Sequence, residues 1–141
     1  MESLRRGVSW AVHFDVAAGQ FRVLSADDDD GNDATSDGDW TDGDETAYSV
    51  VNLSDYRDIS FGSAYGTNGA AEVQAPHVGA GGPANHYMVF QRDGTVTDQN
   101  GAANYGTVYV RNSDGRTFAV GITSAVGNVK SWHHYGAGWK E

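Results

Sequence analysis

The chain has 141 residues, with nineteen Asp and Glu against nine Lys and Arg, a formal net charge of −10 and no cysteine. That length suits one domain with a sizeable core. The missing cysteines exclude a disulfide framework and a thiolate metal site, and the lack of a basic patch argues against nucleic acid as a partner.

In chain order, residues 1–6 read as one or two helical turns, the last of a longer helix. Gly7 is placed as the stop, and Arg5 and Arg6 lie near the negative helix end. From there the period is two. Val8, Trp10, Val12, Phe14 and Val16 alternate with Ser9, Ala11, His13 and Asp15, which predicts a half-buried strand. A turn at 17–20 returns the chain as Phe21-Arg22-Val23-Leu24.

The acidity is local. Residues 27–45, DDDDGNDATSDGDWTDGDE, hold ten of the carboxylates, three glycines and no Lys or Arg, so the other 122 residues are formally neutral. Such a run cannot bury enough apolar surface to fold alone, and its charges repel one another. A compact domain needs a cation to gather it, a basic partner, or a solvated surface loop there.

Beyond the insert, residues 46–53 and 59–61 predict two further strands. Residues 62–86 are rich in Gly, Ala, Asn and Pro and read mostly as loop, with a brief strand at 72–74 and a flexible glycine-rich stretch at 79–82. Tyr87-Met88-Val89-Phe90 is a continuous apolar run suited to a strand buried on both faces. The remainder alternates again: 107–111, a turn at Asn112-Ser113-Asp114-Gly115, 118–123, a turn at Gly127-Asn128, and a last strand over 129–135. This is roughly eight strands and no internal amphipathic helix, which favours antiparallel hairpins.

The candidate chemistry centres on the insert. Closely spaced hard oxygen ligands punctuated by glycine suit Ca²⁺, around which a loop must curl six or more oxygens. One partial register uses Asp28, Asp30 and Asp37. A second uses Asp33, Asp37, Asp39 and Asp44 around Gly38, with Thr35 where a further acid is expected. Neither completes an EF-hand loop.

His133 and His134 are adjacent and so point to opposite strand faces, and His13, His77 and His86 lack metal-ligand spacing. No G-x-S-x-G occurs, and most acids sit in one loop, so no enzyme is expected. Trp132, Tyr135 and Trp139 crowd the C-terminus, where they could line a sugar-binding face, meet a neighbouring subunit or close a sheet edge.

The order of short motifs resembles the GspH/FimT family of minor pseudopilins and minor type IV pilins. Arg5-Arg6-Gly7 precedes Val12-His13-Phe14-Asp15. Phe21 to Leu24 follows, then an Asp/Gly-rich insert ending Gly43 to Thr46. Val50 to Leu53 leads to Ile59-Ser60-Phe61. Further on come Val89 to Thr95, Tyr105 to Val110, Asp114-Gly115-Arg116, Gly121-Ile122-Thr123 and Gly127 to Lys130.

The family's hydrophobic N-terminal helix is not in this sequence, the insert is longer than the usual turn, and residues after Lys130 follow no family pattern. The resemblance implies an α+β, pilin-like fold, a helix remnant followed by antiparallel sheets and mostly β in this chain, as one domain over 1–141. It implies a non-enzymatic subunit of a type IV pilus or type II secretion pseudopilus, acting in filament tip assembly with other pilin or pseudopilin subunits. Such a subunit would be held in the inner membrane by the helix, with a periplasmic domain, or packed in an extracellular filament. The rival from a different class is a secreted, calcium-dependent β-sandwich module that binds a carbohydrate or other ligand.

Overall fold

A computed structural model describes residues 9–25, 40, 45–67, 75–103, 106–135 and 138–141. Its regular structure is almost entirely two β-sheets. The first has the strand order β3-β2-β1-β6-β7, from β1 (Trp10–Asp15), β2 (Gln20–Ser25), β3 (Thr46–Asn52), β6 (Asn85–Phe90) and β7 (Val96–Thr97). The second runs β11-β10-β9-β8-β4, from β4 (Ile59–Phe61), β8 (Thr107–Asn112), β9 (Thr117–Ile122), β10 (Val129–Tyr135) and β11 (Gly138–Lys140). A two-residue strand, β5 (His77–Val78), pairs in parallel with the start of β8, while β4 pairs antiparallel with its end.

The α+β, pilin-like expectation is corrected by this architecture: the domain is nearly all β. Among the described residues, the single helical element is a 3₁₀ turn at Leu53–Asp55. The reason is periodicity. Nearly every described stretch alternates at period two or is broken by Gly and Asp, and none presents the i, i+3, i+4 stripe that a packed helix requires. The helix remnant expected at 1–6, the short strand expected at 72–74 and the motif Arg5-Arg6-Gly7 lie outside the described residues. Among the described residues, no helix is long and apolar enough to cross a membrane.

The turns form where the sequence places them, through specific hydrogen bonds. Asp15 accepts the Ala18 N–H at 2.9 Å, and Gly19 takes φ 66° ahead of β2. In the β8–β9 hairpin the Asn112 side chain accepts the Arg116 N–H at 2.9 Å, and Gly115 adopts φ 82°, a region open to Gly at little cost.

Directly paired residues share a sheet face, and that rule locates the core. Val78, Met88, Val96, Val108 and Ile122 are buried between the sheets, with Phe14, Val16, Phe61 and Phe90 packed on them. The sheets are also joined where the Val96 N–H donates to the Ala125 carbonyl at 2.9 Å.

Both outer faces carry a second layer. On the first sheet, Ala11, Leu24 and Val89 lie side by side beneath Trp40. On the second, Tyr109, Ala119 and Trp132 form a row under Ala80 and Trp139. β1 is thus covered on both faces, where alternation alone predicts one wet face: Ala11 and His13 are buried together with Trp10. The continuous apolar run of β6 behaves as predicted, with Met88 facing the inter-sheet core and Val89 facing Trp40.

Candidate functional site

Three places on the molecule carry more than scaffold: the foothold of the acidic insert, a cleft beside it, and an uncovered apolar strip on the second sheet. The insert leaves β2 at Ser25 and rejoins the fold at Glu45. The six aspartates proposed as calcium ligands, Asp28, Asp30, Asp33, Asp37, Asp39 and Asp44, all lie outside the described residues. Among the described residues, no group of three or more His, Asp or Glu is gathered as for a metal ion.

Trp40 is the described residue of the insert's middle, and it is only 5% exposed, packed on Ala11, Leu24 and Val89. The small side chain of Ala11 makes room for the indole between its larger neighbours. The acid-rich run is therefore tied to the sheet by one large apolar anchor. The sequence displays that residue, the lone aromatic among ten carboxylates, but pattern reasoning passes over it because charge dominates the segment.

Beside Trp40 opens a half-enclosed cleft of about 280 Å³, lined by Ser9, Trp40, Gln91, Asp98, Gln99, Asn100 and Gly101. Its walls are held by hydrogen bonds. The Ser9 hydroxyl donates to Gln91 Oε1 at 3.0 Å, and Gln91 Nε2 donates to Thr97 Oγ1 at 3.2 Å. Asp98 Oδ1 accepts the N–H groups of Asn100 and Ala102, each at 2.9 Å, and the Asp98 carbonyl accepts the Gly101 N–H at 3.1 Å. Gln99 Oε1 is buried and has no hydrogen-bond partner among the described residues. None of these amides was singled out as functional by sequence; the Asn100-Gly101 turn signal was the available clue.

The strip lies on β9 and β10. Val120 pairs with Val108, and Val129 with Ile122, so both share the face that forms the inter-sheet core. Phe118 pairs with Val110 on that same face. Yet Phe118 is 50% exposed, Val120 46% and Val129 60%, and Val126 in the adjoining turn is also exposed. Part of the second sheet's core-type face is therefore exposed.

Of the C-terminal aromatics, Trp132 and Trp139 are placed, and the side chain of Tyr135 lies outside the described ones. Trp132 is buried in the outer layer, Trp139 sits edge-on to Tyr109 with ring centroids 5.9 Å apart, and His134 stacks on Tyr65 at 3.6 Å. Core and sheet-edge packing accounts for both tryptophans. His133 and His134 point to opposite faces, as adjacent strand residues must. Burial pushes the Tyr109 hydroxyl up to about 12, and it contacts His77 Nδ1 at 3.3 Å.

Two histidines are held neutral by the fold. His86 is 3% exposed between the sheets, its Nε2 has no partner among the described residues, and burial lowers its pKa below 6.5 against the opposing pull of Asp98. His13 stacks on Tyr87 at 4.2 Å and contacts Asn85 at 3.3 Å. Burial again lowers its pKa, with the Asn85 bond acting in the other direction.

A histidine with a depressed folded pKa binds protons more readily unfolded. Stability is accordingly full above about pH 6.5 and falls as pH drops below that value through the lowered folded pKa values. Thermal melts from pH 8 to pH 5 should show this decline, and it should flatten in His86→Leu. Parallel curves for the two proteins would remove His86 as its source.

The class these features define is a two-sheet, all-β domain. Comparisons with protein-family models, with curated proteins and with solved structures return no match.

Proposed function

We propose that the chain is a structural subunit, a minor pilin or pseudopilin, that joins a type IV pilus or type II secretion pseudopilus through its β-domain. The observation that carries this reading is the bare strip of Phe118, Val120 and Val129. Large apolar side chains on a core-type sheet face, left in water, mark a contact surface. Fully burying one such side chain is worth roughly 1.5–3 kcal/mol; these are already about half covered, so each gains about half of that on docking, and the three together give an assembly contact its driving force. Further support comes from placement of the family-like motifs. Val12 to Asp15, Phe21 to Leu24 and Ile59 to Phe61 each fall on a strand, Val50 to Leu53 runs from β3 into the 3₁₀ turn, the part of Tyr105 to Val110 from Thr107 onward lies on β8, and the turn at Gln91–Thr95 joins β6 to β7.

Phe118→Asp and Val120→Lys change exposed positions and leave the core intact. The expected outcome is a folded domain, with circular dichroism and melting temperature near those of the parent, that fails to enter filaments. The check is recovery in sheared filament fractions from cells, supported by cross-linking from a photoreactive residue at position 118. Filament recovery at parental levels for both variants, with no cross-link to another subunit, would overturn the reading.

A further inference from the structure

We infer that the cleft beside Trp40 is a subsite for a neutral polyhydroxylated ligand the size of one sugar ring. The inference stands apart from the filament reading, because the cleft's lining shares no residue with the β9–β10 strip.

Size sets the first limit. A volume of about 280 Å³ lies at the lower edge of the ~300–1,000 Å³ typical of small-molecule sites. It accommodates a single ring and little more.

The hydrogen-bonding chemistry sets the second. Gln91, Gln99 and Asn100 bring three amides, each with both donors and an acceptor, and Ser9 brings a hydroxyl. Gln91 spends one acceptor site on Ser9 and one N–H on Thr97, which fixes its plane and leaves its remaining sites for a ligand. Asp98 uses Oδ1 to hold the Asn100 and Ala102 N–H groups, and its carboxylate keeps further acceptor capacity. Gln99 Oε1 is closed to solvent beneath the cleft surface, so Gln99 serves a ligand through its N–H₂ group.

This lining discriminates among ligand classes. An anion meets the Asp98 carboxylate in a chain of net charge −10 and is repelled. An ammonium group offers donors only and leaves the amide N–H groups of Gln99 and Asn100 without an acceptor. A hydroxyl donates and accepts at once, so a ring of hydroxyls can serve carboxylate, amide oxygen and amide N–H together. The supports are preformed: the 98–102 turn is closed by the Asp98 N–H bond to the Ala102 carbonyl at 2.8 Å, which limits the ordering cost of binding.

The test uses the 141-residue chain and NMR titration with D-glucose, D-galactose and N-acetyl-D-glucosamine in turn, with ethylammonium and inorganic phosphate as donor-only and acceptor-only probes. The Trp40 indole N–H is assigned by its loss in Trp40→Phe, and the side-chain amides by their loss in Gln99→Leu and Asn100→Ala. Saturable shifts of these signals with at least one sugar, at a Kd on the order of millimolar, are expected. Phosphate and ethylammonium should leave them in place. Gln99→Leu and Gln99→Glu should each weaken binding by about tenfold, with unchanged circular dichroism. Absence of a saturable shift with all three sugars would overturn the inference, as would affinity at the parental level in both Gln99 variants or tighter binding of ethylammonium than of any sugar.

Discussion

Replacing Trp40 with alanine is expected to lower the unfolding free energy by about 3–5 kcal/mol, the usual cost of deleting a large buried aromatic side chain. On a domain of this size that corresponds to a melting temperature lower by on the order of 10–20 °C. The reason is local. Trp40 is the cover over Ala11, Leu24 and Val89, and its removal exposes the outer face of β1, β2 and β6 to water. Denaturant melts would show a lower midpoint with little change in slope if the native state remains compact. A loss below about 1 kcal/mol, the range of an ordinary surface substitution, would mean the indole rests on the sheet without stabilising it.

A second large effect is expected at Gly82. A Cβ there would overlap the carbonyl oxygen of His77 and stand 2.7 Å from its carbon. That same oxygen accepts the N–H groups of Gly82 at 3.0 Å and Ala80 at 3.1 Å. These atoms are backbone and cannot swing aside, so Gly82→Ala must displace the turn after β5. Val78, fully buried in the inter-sheet core, moves with it. Loss of more than about 2 kcal/mol is expected, as for a forced backbone rearrangement beside a core residue.

Gly81→Ala is the comparison. Gly81 has φ 82° and nothing within 4 Å of its added Cβ, so it carries only the left-handed backbone cost of roughly 1–2 kcal/mol. Equal losses in the two variants would show that conformational strain, and not the close approach to His77, governs this turn.

The glycine-rich stretch shows where sequence reading stops. Gly79-Ala80-Gly81-Gly82 reads as a flexible loop because its composition lacks side chains to pack. In the fold it is a close-packed turn, where a Cβ on Gly79 would lie 2.9 Å from the Tyr109 carbonyl. Absence of side chains signals permissive backbone and close approach equally well, and only the neighbouring strand distinguishes them.

The same limit applies to β9. Phe118, Val120 and Ile122 alternate with Ala119 and Gly121, and alternation marks a strand without naming the wet face. The larger residues turn out exposed at Phe118 and Val120, while Ala119 and Gly121 are buried. Gly121 is small because Thr107 Oγ1 and the Trp132 ring stand 2.8 and 3.1 Å from where its Cβ would be. The candidate ligands in the insert follow from spacing within one segment. The cleft assembles Ser9, Trp40, Gln91 and residues 98–101 from four stretches of chain, which no local pattern links.

By itself the sequence determined the local elements. Period-two runs became β1, β2, β8, β9 and β10, the apolar run 87–90 became a strand covered on both faces, and the Asn112-Ser113-Asp114-Gly115 and Gly127-Asn128 signals became turns. These follow from φ/ψ preference and side-chain alternation, which act within a few residues. Tertiary structure decided which faces meet and which stay bare. It seated Trp40 on the first sheet, left Phe118, Val120 and Val129 exposed on the second, and brought the polar lining of the cleft together. Those outcomes depend on how far each sheet extends and where distant strands pair, and these are set by the whole chain burying its apolar surface at once.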